Sequence, residues 1–172
     1  MFIDGNHDNH NALSNMKINQ WNGGDIHYLN KQIIHFMRGQ IYTINNKTFF
    51  TMGGGNSVDK EYRIENKSWW KDEMPSDNEI KEGNQNLKDN NYEVDYLLTH
   101  ECPKRFLNSV IPNWARIQYG NVPSNILNYH FDILYDTVKF KKWYWGHYHT
   151  DVVVNDKCRC IYNDVVEIYS QL

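Results

Sequence analysis

Three times in this chain a short apolar run breaks off into a polar stretch that carries histidine. Trp143-Tyr144-Trp145 runs into Gly146-His147-Tyr148-His149, Tyr96-Leu97-Leu98 into Thr99-His100-Glu101, and Met1-Phe2-Ile3 into Gly5-Asn6-His7-Asp8. Apolar runs of this length, bounded by polar residues, read as buried strands. In open α/β sheets, sites collect where the carboxyl ends of strands meet. The pattern therefore asks for a fold that brings three strand ends into one place. Along extended chain, side chains alternate, so His147 and His149 are expected to point the same way. Gly146 is expected to let the backbone leave the strand. Taken alone, His147-x-His149 reads equally well as a ligand-free surface pair; the two other blocks tip the reading toward a shared site.

The remaining segments supply a scaffold for such a sheet. Ile33 to Met37, Ile41 to Ile44 and Thr48 to Met52 are β-rich, and Asn45-Asn46-Lys47 between the last two is a hairpin signal. Trp21-Asn22-Gly23-Gly24 is a turn. Helices are expected over Asn9 to Met16, over Glu79 to about Asn90 with Ser76 or Asp77 as N-cap, and after Pro123-Ser124. On the last of these, Ile126, Leu127, His130, Ile133 and Leu134 share one face, with His130 as a core or half-buried residue rather than a ligand. Three further β runs are expected at Val152 to Val154, Arg159 to Tyr162 and Val165 to Tyr169. Gly53-Gly54-Gly55 carries no side-chain chemistry and serves either close backbone approach to a site or a flexible connection. Strands mixed with helices and hairpins give an α/β class with at least one mixed sheet.

Composition narrows the functions available. The chain has 172 residues, 40% hydrophobic and 15% aromatic, which fits one domain, residues 1–172, with a substantial core. A net charge of −3 gives no electrostatic case for nucleic acid as a held partner or for an acidic membrane. No run approaches a membrane span, and the first residues do not form a signal peptide. Cys102, Cys158 and Cys160 match neither zinc-knuckle nor redox spacing, so reduced thiols in a cytoplasmic protein are expected.

The three blocks together offer three imidazoles and an amide oxygen, with a fourth histidine spare. Nitrogen and oxygen donors without thiolate suit Zn, Mn or Fe. These residues carry a resemblance over nearly the whole chain. Gly5-Asn6-His7-Asp8, Thr99-His100 and Gly146-His147-Tyr148-His149 resemble, in order and strand context, the last three signature blocks of the calcineurin-like metallophosphoesterases. The stretch from Gly53 to Asp59, with Tyr62-Arg63 and Trp69-Trp70, resembles prophage-type and bacterial members. The resemblance implies an α/β/β/α sandwich with mixed sheets and a pair of divalent metal ions. It implies that Asn6, His100 and His147 bind one metal and His149 the other, and that His7, oriented by Asp8, stabilises or protonates the phosphoester. Arg63 is a candidate phosphate contact, and reads as readily as a solvated helix charge. The substrate is a phosphomonoester or phosphodiester, with nucleic acid entering only as substrate and no membrane involved.

One departure alters the expectation. Members of the family carry Asp-x-His and Gly-Asp blocks ahead of the Asn-His block, and this sequence has neither before Gly5. The carboxylate that bridges the two metals is among the missing groups. Two divalent ions about 3.5–4 Å apart repel by roughly 17–19 kcal/mol at an effective dielectric near 20. Without a bridging anion, one metal is expected rather than two, with His149 left spare and activity reduced. The fold is expected to be incomplete, lacking the first strand-helix units, as in an N-terminally truncated product. A non-catalytic metal-binding remnant and a half-enzyme completed by an upstream fragment are the alternatives.

Overall fold

The computed structural model describes residues 1–120 and 122–168. The first half of the chain builds β1 (Phe2–Ile3), α1 (His10–Ser14), β2 (Ile18–Trp21), β3 (Gly24–Tyr28), β4 (Ile34–Phe36), β5 (Gln40–Ile44) and β6 (Lys47–Met52). The second half builds α2 (Asp77–Asp89), β7 (Tyr96–Thr99), α3 (Leu107–Val110), α4 (Asn113–Tyr119), α5 (Ile126–Thr137), β8 (Lys142–Trp145), β9 (Val152–Val153) and β10 (Cys158–Cys160). The architecture is mixed α/β, with two sheets and interspersed helices. One sheet has the order β1-β4-β3-β2 and the other β5-β6-β7-β8-β10-β9.

The larger sheet explains why the second and third histidine blocks meet; the first follows β1 of the smaller sheet. β6, β7, β8 and β10 run parallel, and their register aligns Met52, Thr99, Trp145 and Cys160 as a row of strand ends. The next residues, Gly53, His100 and Gly146, therefore leave the sheet side by side. Local sequence enforces the edges of this arrangement. Asn45 (φ 49°) and Asn46 (φ 59°) both adopt left-handed backbone, which a two-residue hairpin requires and asparagine tolerates. Ser76 caps α2 in a reciprocal capping box with Glu79.

Alternation along the strands sends Phe50 and Met52, Leu97, Trp143 and Trp145, and Cys158 and Cys160 to one face, where they pack with Leu87 of α2 and Leu127, Phe131 and Leu134 of α5. Full burial of each large side chain there stabilises by about 1.5–3 kcal/mol. All three cysteines are free thiols inside this core. A second, smaller core joins the sheets: Tyr42 of β5 packs with Ile26 and Phe36 of the four-stranded sheet. No helix among the described residues is long and apolar enough to cross a membrane.

The structure departs from the sequence reading in three places. The buried face of α5 is Leu127, Asn128, Phe131 and Leu134, while Ile126 and Ile133 are 78% and 60% exposed. A polar residue takes the central place because the Asn128 amide donates to the buried Glu101 carboxylate at 2.7 Å and to the Cys102 carbonyl at 2.8 Å. The expected run from Val165 to Tyr169 forms no strand over 165–168, where Val165 is 97% exposed; Tyr169 lies outside the described residues. β propensity without a neighbouring strand to pair with does not make a strand. Conversely, β2 and β3 form a hairpin around Asn22 and Gly23 from segments too polar to stand out.

One ion pair fastens the two sheets together. Asp4, 1% exposed, follows β1 and accepts from Arg38 Nε at 2.9 Å, from Arg38 Nη2 at 2.7 Å and from His35 Nε2 at 3.0 Å. Its backbone carbonyl accepts from the Gly54 amide at 2.9 Å, just beyond β6. Burial alone would raise the Asp4 carboxyl, but the His35 hydrogen bond and the Arg38 charge outweigh it and hold the group well below the usual carboxylate range. Removing one partner of a buried pair strands the other, at a cost of about 3–5 kcal/mol. Arg38→Ala is accordingly expected to destabilise the fold by about that amount, read as a drop in the urea midpoint, and Arg38→Lys to recover only part of the loss because an ammonium cannot reproduce the two-pronged contact.

Candidate functional site

Asn6, His100 and His147 reach one another from three different strand ends. His100 Nε2 lies 3.0 Å from Asn6 Oδ1 and 3.1 Å from His147 Nδ1. The close fit depends on Gly5, where an added Cβ would sit 2.7 Å from His100 Cε1. It depends equally on the triple glycine, whose middle member takes left-handed backbone (φ +81°) and donates to Asp4, while Gly55 donates to the Glu73 carbonyl at 3.0 Å. Close backbone approach, not a loose connection, is what those glycines provide.

The orientation of each donor is fixed from behind. Glu73, buried, accepts from the Ser57 amide at 3.0 Å and from its hydroxyl at 2.6 Å. With its proton so directed, Ser57 Oγ accepts from Asn6 Nδ2 at 2.9 Å. That assigns the Asn6 amide and turns its oxygen toward His100. On the other side stands Glu101, a fully enclosed carboxylate. It accepts from the Asn56 amide, Asn125 Nδ2, Asn128 Nδ2 and Tyr148 Oη at 2.7–3.0 Å. Burial works to raise the Glu101 carboxyl, yet His147 and these donors together hold it below its ordinary value. Its Oε1 lies 3.7 Å from His147 Nε2, which favours the ring proton on that nitrogen and leaves Nδ1 a lone pair.

Counting protons exposes what the cluster lacks. Asn6 Oδ1 and His147 Nδ1 are both acceptors, and His100 Nε2 between them holds at most one proton, which it can aim at only one of the two. Burial, then the nearby His147, pushes the His100 pKa down to about 3, so near neutrality the ring is neutral and one of its nitrogens keeps a lone pair. Asn6 Oδ1 and His147 Nδ1 each lie about 3 Å from His100 Nε2, and this cradle of one oxygen and two nitrogen donors is of the kind that suits a divalent cation. Among the described residues no group of three or more His, Cys, Asp and Glu side chains forms a metal site. The cradle has two such residues, and an amide oxygen fills its third place.

The other expected site residues line the same cleft of about 550 Å³ but take different positions. His147 (φ 67°) and His149 (φ 51°) carry the left-handed backbone, and Gly146, expected to provide the turn, does not adopt it, so the strand alternation ends at the histidines themselves. His147 meets His100, whereas His149 stacks with Trp114 and with Tyr162 at centroid distances of 6.0 and 5.0 Å. Asp8 accepts from the Gly5 amide at 2.7 Å and closes its own turn; the partners of His7 Nε2 are instead Asn6 Nδ2 and Arg63 Nη2, each at 3.3 Å. Burial, followed by the Arg63 charge, lowers the His7 pKa. Arg63 is not a solvated helix charge: Asp59 grips it through Nε at 2.7 Å and Nη2 at 2.6 Å, and it donates to the Ser68 carbonyl at 3.1 Å.

No family model matches this chain, no curated protein matches it, and no solved structure matches its fold. The geometry of the site adds three residues which the sequence reading passes over: Asp4, Glu73 and Glu101. Only Glu101 has a visible cue, its place directly after His100.

The buried imidazoles make the fold acid-sensitive. His10, His27 and His100 all have pKa values lowered, burial being the largest cause in each case. Between their folded values and about 6.5, the unfolded chain binds protons that the folded chain refuses, so stability falls as pH falls. The loss reaches at most about 1.4 kcal/mol per pH unit for each such histidine. Urea midpoints in metal-free buffer are expected to decline from pH 7 to pH 5, before the carboxylates titrate.

Proposed function

We propose that this chain is a phosphoesterase that uses one divalent metal ion, held by Asn6 Oδ1, His100 Nε2 and His147 Nδ1. The observation that carries the reading is the proton shortage at that cradle: two oriented acceptors flank a neutral imidazole that can satisfy only one of them. The resemblance of the three blocks to calcineurin-like metallophosphoesterases supports it, as does the meeting of His100 and His147, at the ends of parallel strands, with Asn6 from the end of β1. On this reading the two sheets and their helices are an incomplete version of that family's α/β/β/α sandwich.

When bound, a divalent ion supplies Lewis acidity and lowers the pKa of a water at an open position. The protein's own groups do the rest. Ser57 and Glu73 hold the Asn6 oxygen in place, and the Glu101 carboxylate, 3.7 Å from His147 Nε2, favours the tautomer with its proton there. His7 and Arg63 stand at the cleft wall, where a phosphoryl group beside the cradle would meet them. His7 is neutral near pH 7, and the arrival of an anionic phosphoryl oxygen raises its pKa, which suits it to donate a proton to a leaving oxygen. Arg63 stays cationic, with Asp59 as its anchor. The donor set includes no carboxylate that could bridge two ions, and His149 is engaged with aromatic rings, so the reading specifies one ion per chain.

A second reading, metal binding without turnover, is favoured by the same absence of carboxylate from the donor set. One experiment separates them. Titration with Mn²⁺ or Zn²⁺ is expected to give one ion per chain, with hydrolysis of an aryl phosphomonoester or phosphodiester once loaded. His100→Ala is expected to abolish both. Glu101→Gln, which keeps the shape and removes the charge, is expected to weaken binding by about 10–100-fold, as outer partners of metal ligands do. Binding without hydrolysis selects the second reading; metal affinity unchanged in His100→Ala removes both.

A further inference from the structure

The cleft beside the cradle has two unlike walls. One is polar and carries His7, Arg63 and the cradle itself. The other is built from the segment around α4, with Ile111, Ala115 and Tyr119 behind an outward-facing Trp114 that is 47% exposed. The His149 ring lies near-parallel to Trp114, at an interplanar angle of 21°, and to Tyr162, at 30°. Three flat rings thus cluster on the lining of the cleft that holds the cradle. Nothing in the fold accounts for this placement as core packing, since Trp114, His149 and Tyr162 are all exposed.

We infer that this stack is a subsite for a flat aromatic group on the substrate, so that the phosphoester taken is a small nucleotide or a chemically similar aryl phosphate. This rests on the phosphoesterase reading above and deepens it. A cleft of about 550 Å³ lies within the range that encloses a ligand of nucleotide size. Aromatic faces bind bases with little regard to their edge pattern, because every base presents a π-face. The net charge of −3 disfavours a nucleic-acid strand as the occupant, since strand binding relies on tracks of basic residues. Trp114 supplies the exposed face; His149, stacked on both Trp114 and Tyr162, is the positioning residue, which explains why it is not turned to the cradle.

The test compares adenosine 5′-monophosphate, ribose 5-phosphate, adenosine and inorganic phosphate as ligands of the full chain with Mn²⁺ present, followed by calorimetry. The nucleotide is expected to bind about 5- to 100-fold more tightly than ribose 5-phosphate, the range base stacking covers. Trp114→Ala is expected to erase that difference while leaving ribose 5-phosphate affinity unchanged, and Trp114→Phe to restore most of it. Because Trp114 is outward-facing, its loss leaves the fold intact, which an unchanged urea midpoint verifies. Equal affinity for nucleotide and sugar phosphate, or a difference that survives Trp114→Ala, overturns the inference and leaves the phosphoesterase reading standing. Adenosine binding that depends on Trp114, with no response to phosphate or metal, overturns the phosphoesterase reading and the inference with it.

Discussion

The Asp4 carboxylate is the tie on which the site depends. It is buried, and its charge is met by Arg38 and His35. Those contacts fix the end of β1 against β4, while the Asp4 carbonyl takes the Gly54 amide and so fixes β1 against the loop after β6. Asn6 lies two residues on. Its distance to His100 and its hydrogen bond to Ser57 both follow from where Asp4 is held. A buried charge is costly, and the larger part of what it gives here is register: the small sheet cannot slide relative to the large one without stranding a carboxylate.

The parallel strands then do the gathering. A parallel ladder places successive strand ends on one edge of a sheet, and Thr99 and Trp145 stand opposite each other there. This much was legible in the sequence, because a short apolar run that halts at a histidine both buries a strand and delivers a polar group at its end. Asn45-Asn46 was legible for a similar reason: left-handed backbone in tandem restricts residue choice sharply. The convergence of Asn6, His100 and His147 followed from the same signals.

What stayed hidden had long-range causes. Asp4 looks like any loop aspartate until Arg38 and His35, over thirty residues away, are brought to it. Asn128 broke the apolar face of α5 because Glu101 needed donors, a demand that local periodicity cannot register. The direction of His149 escaped the sequence reading because alternation holds only while the chain stays extended, and the left-handed turns at His147 and His149 end that condition immediately. Val165 to Ile168 had the composition of a strand and no neighbour to pair with.

Those two left-handed histidines have a further consequence. Backbone of this kind costs a side-chain-bearing residue of the order of 1–3 kcal/mol, and glycine escapes most of that penalty. By the measure of folding alone, glycine or asparagine would serve better at both places. The loop therefore holds imidazoles against its own conformational preference, and a lineage released from whatever those rings do would drift away from them.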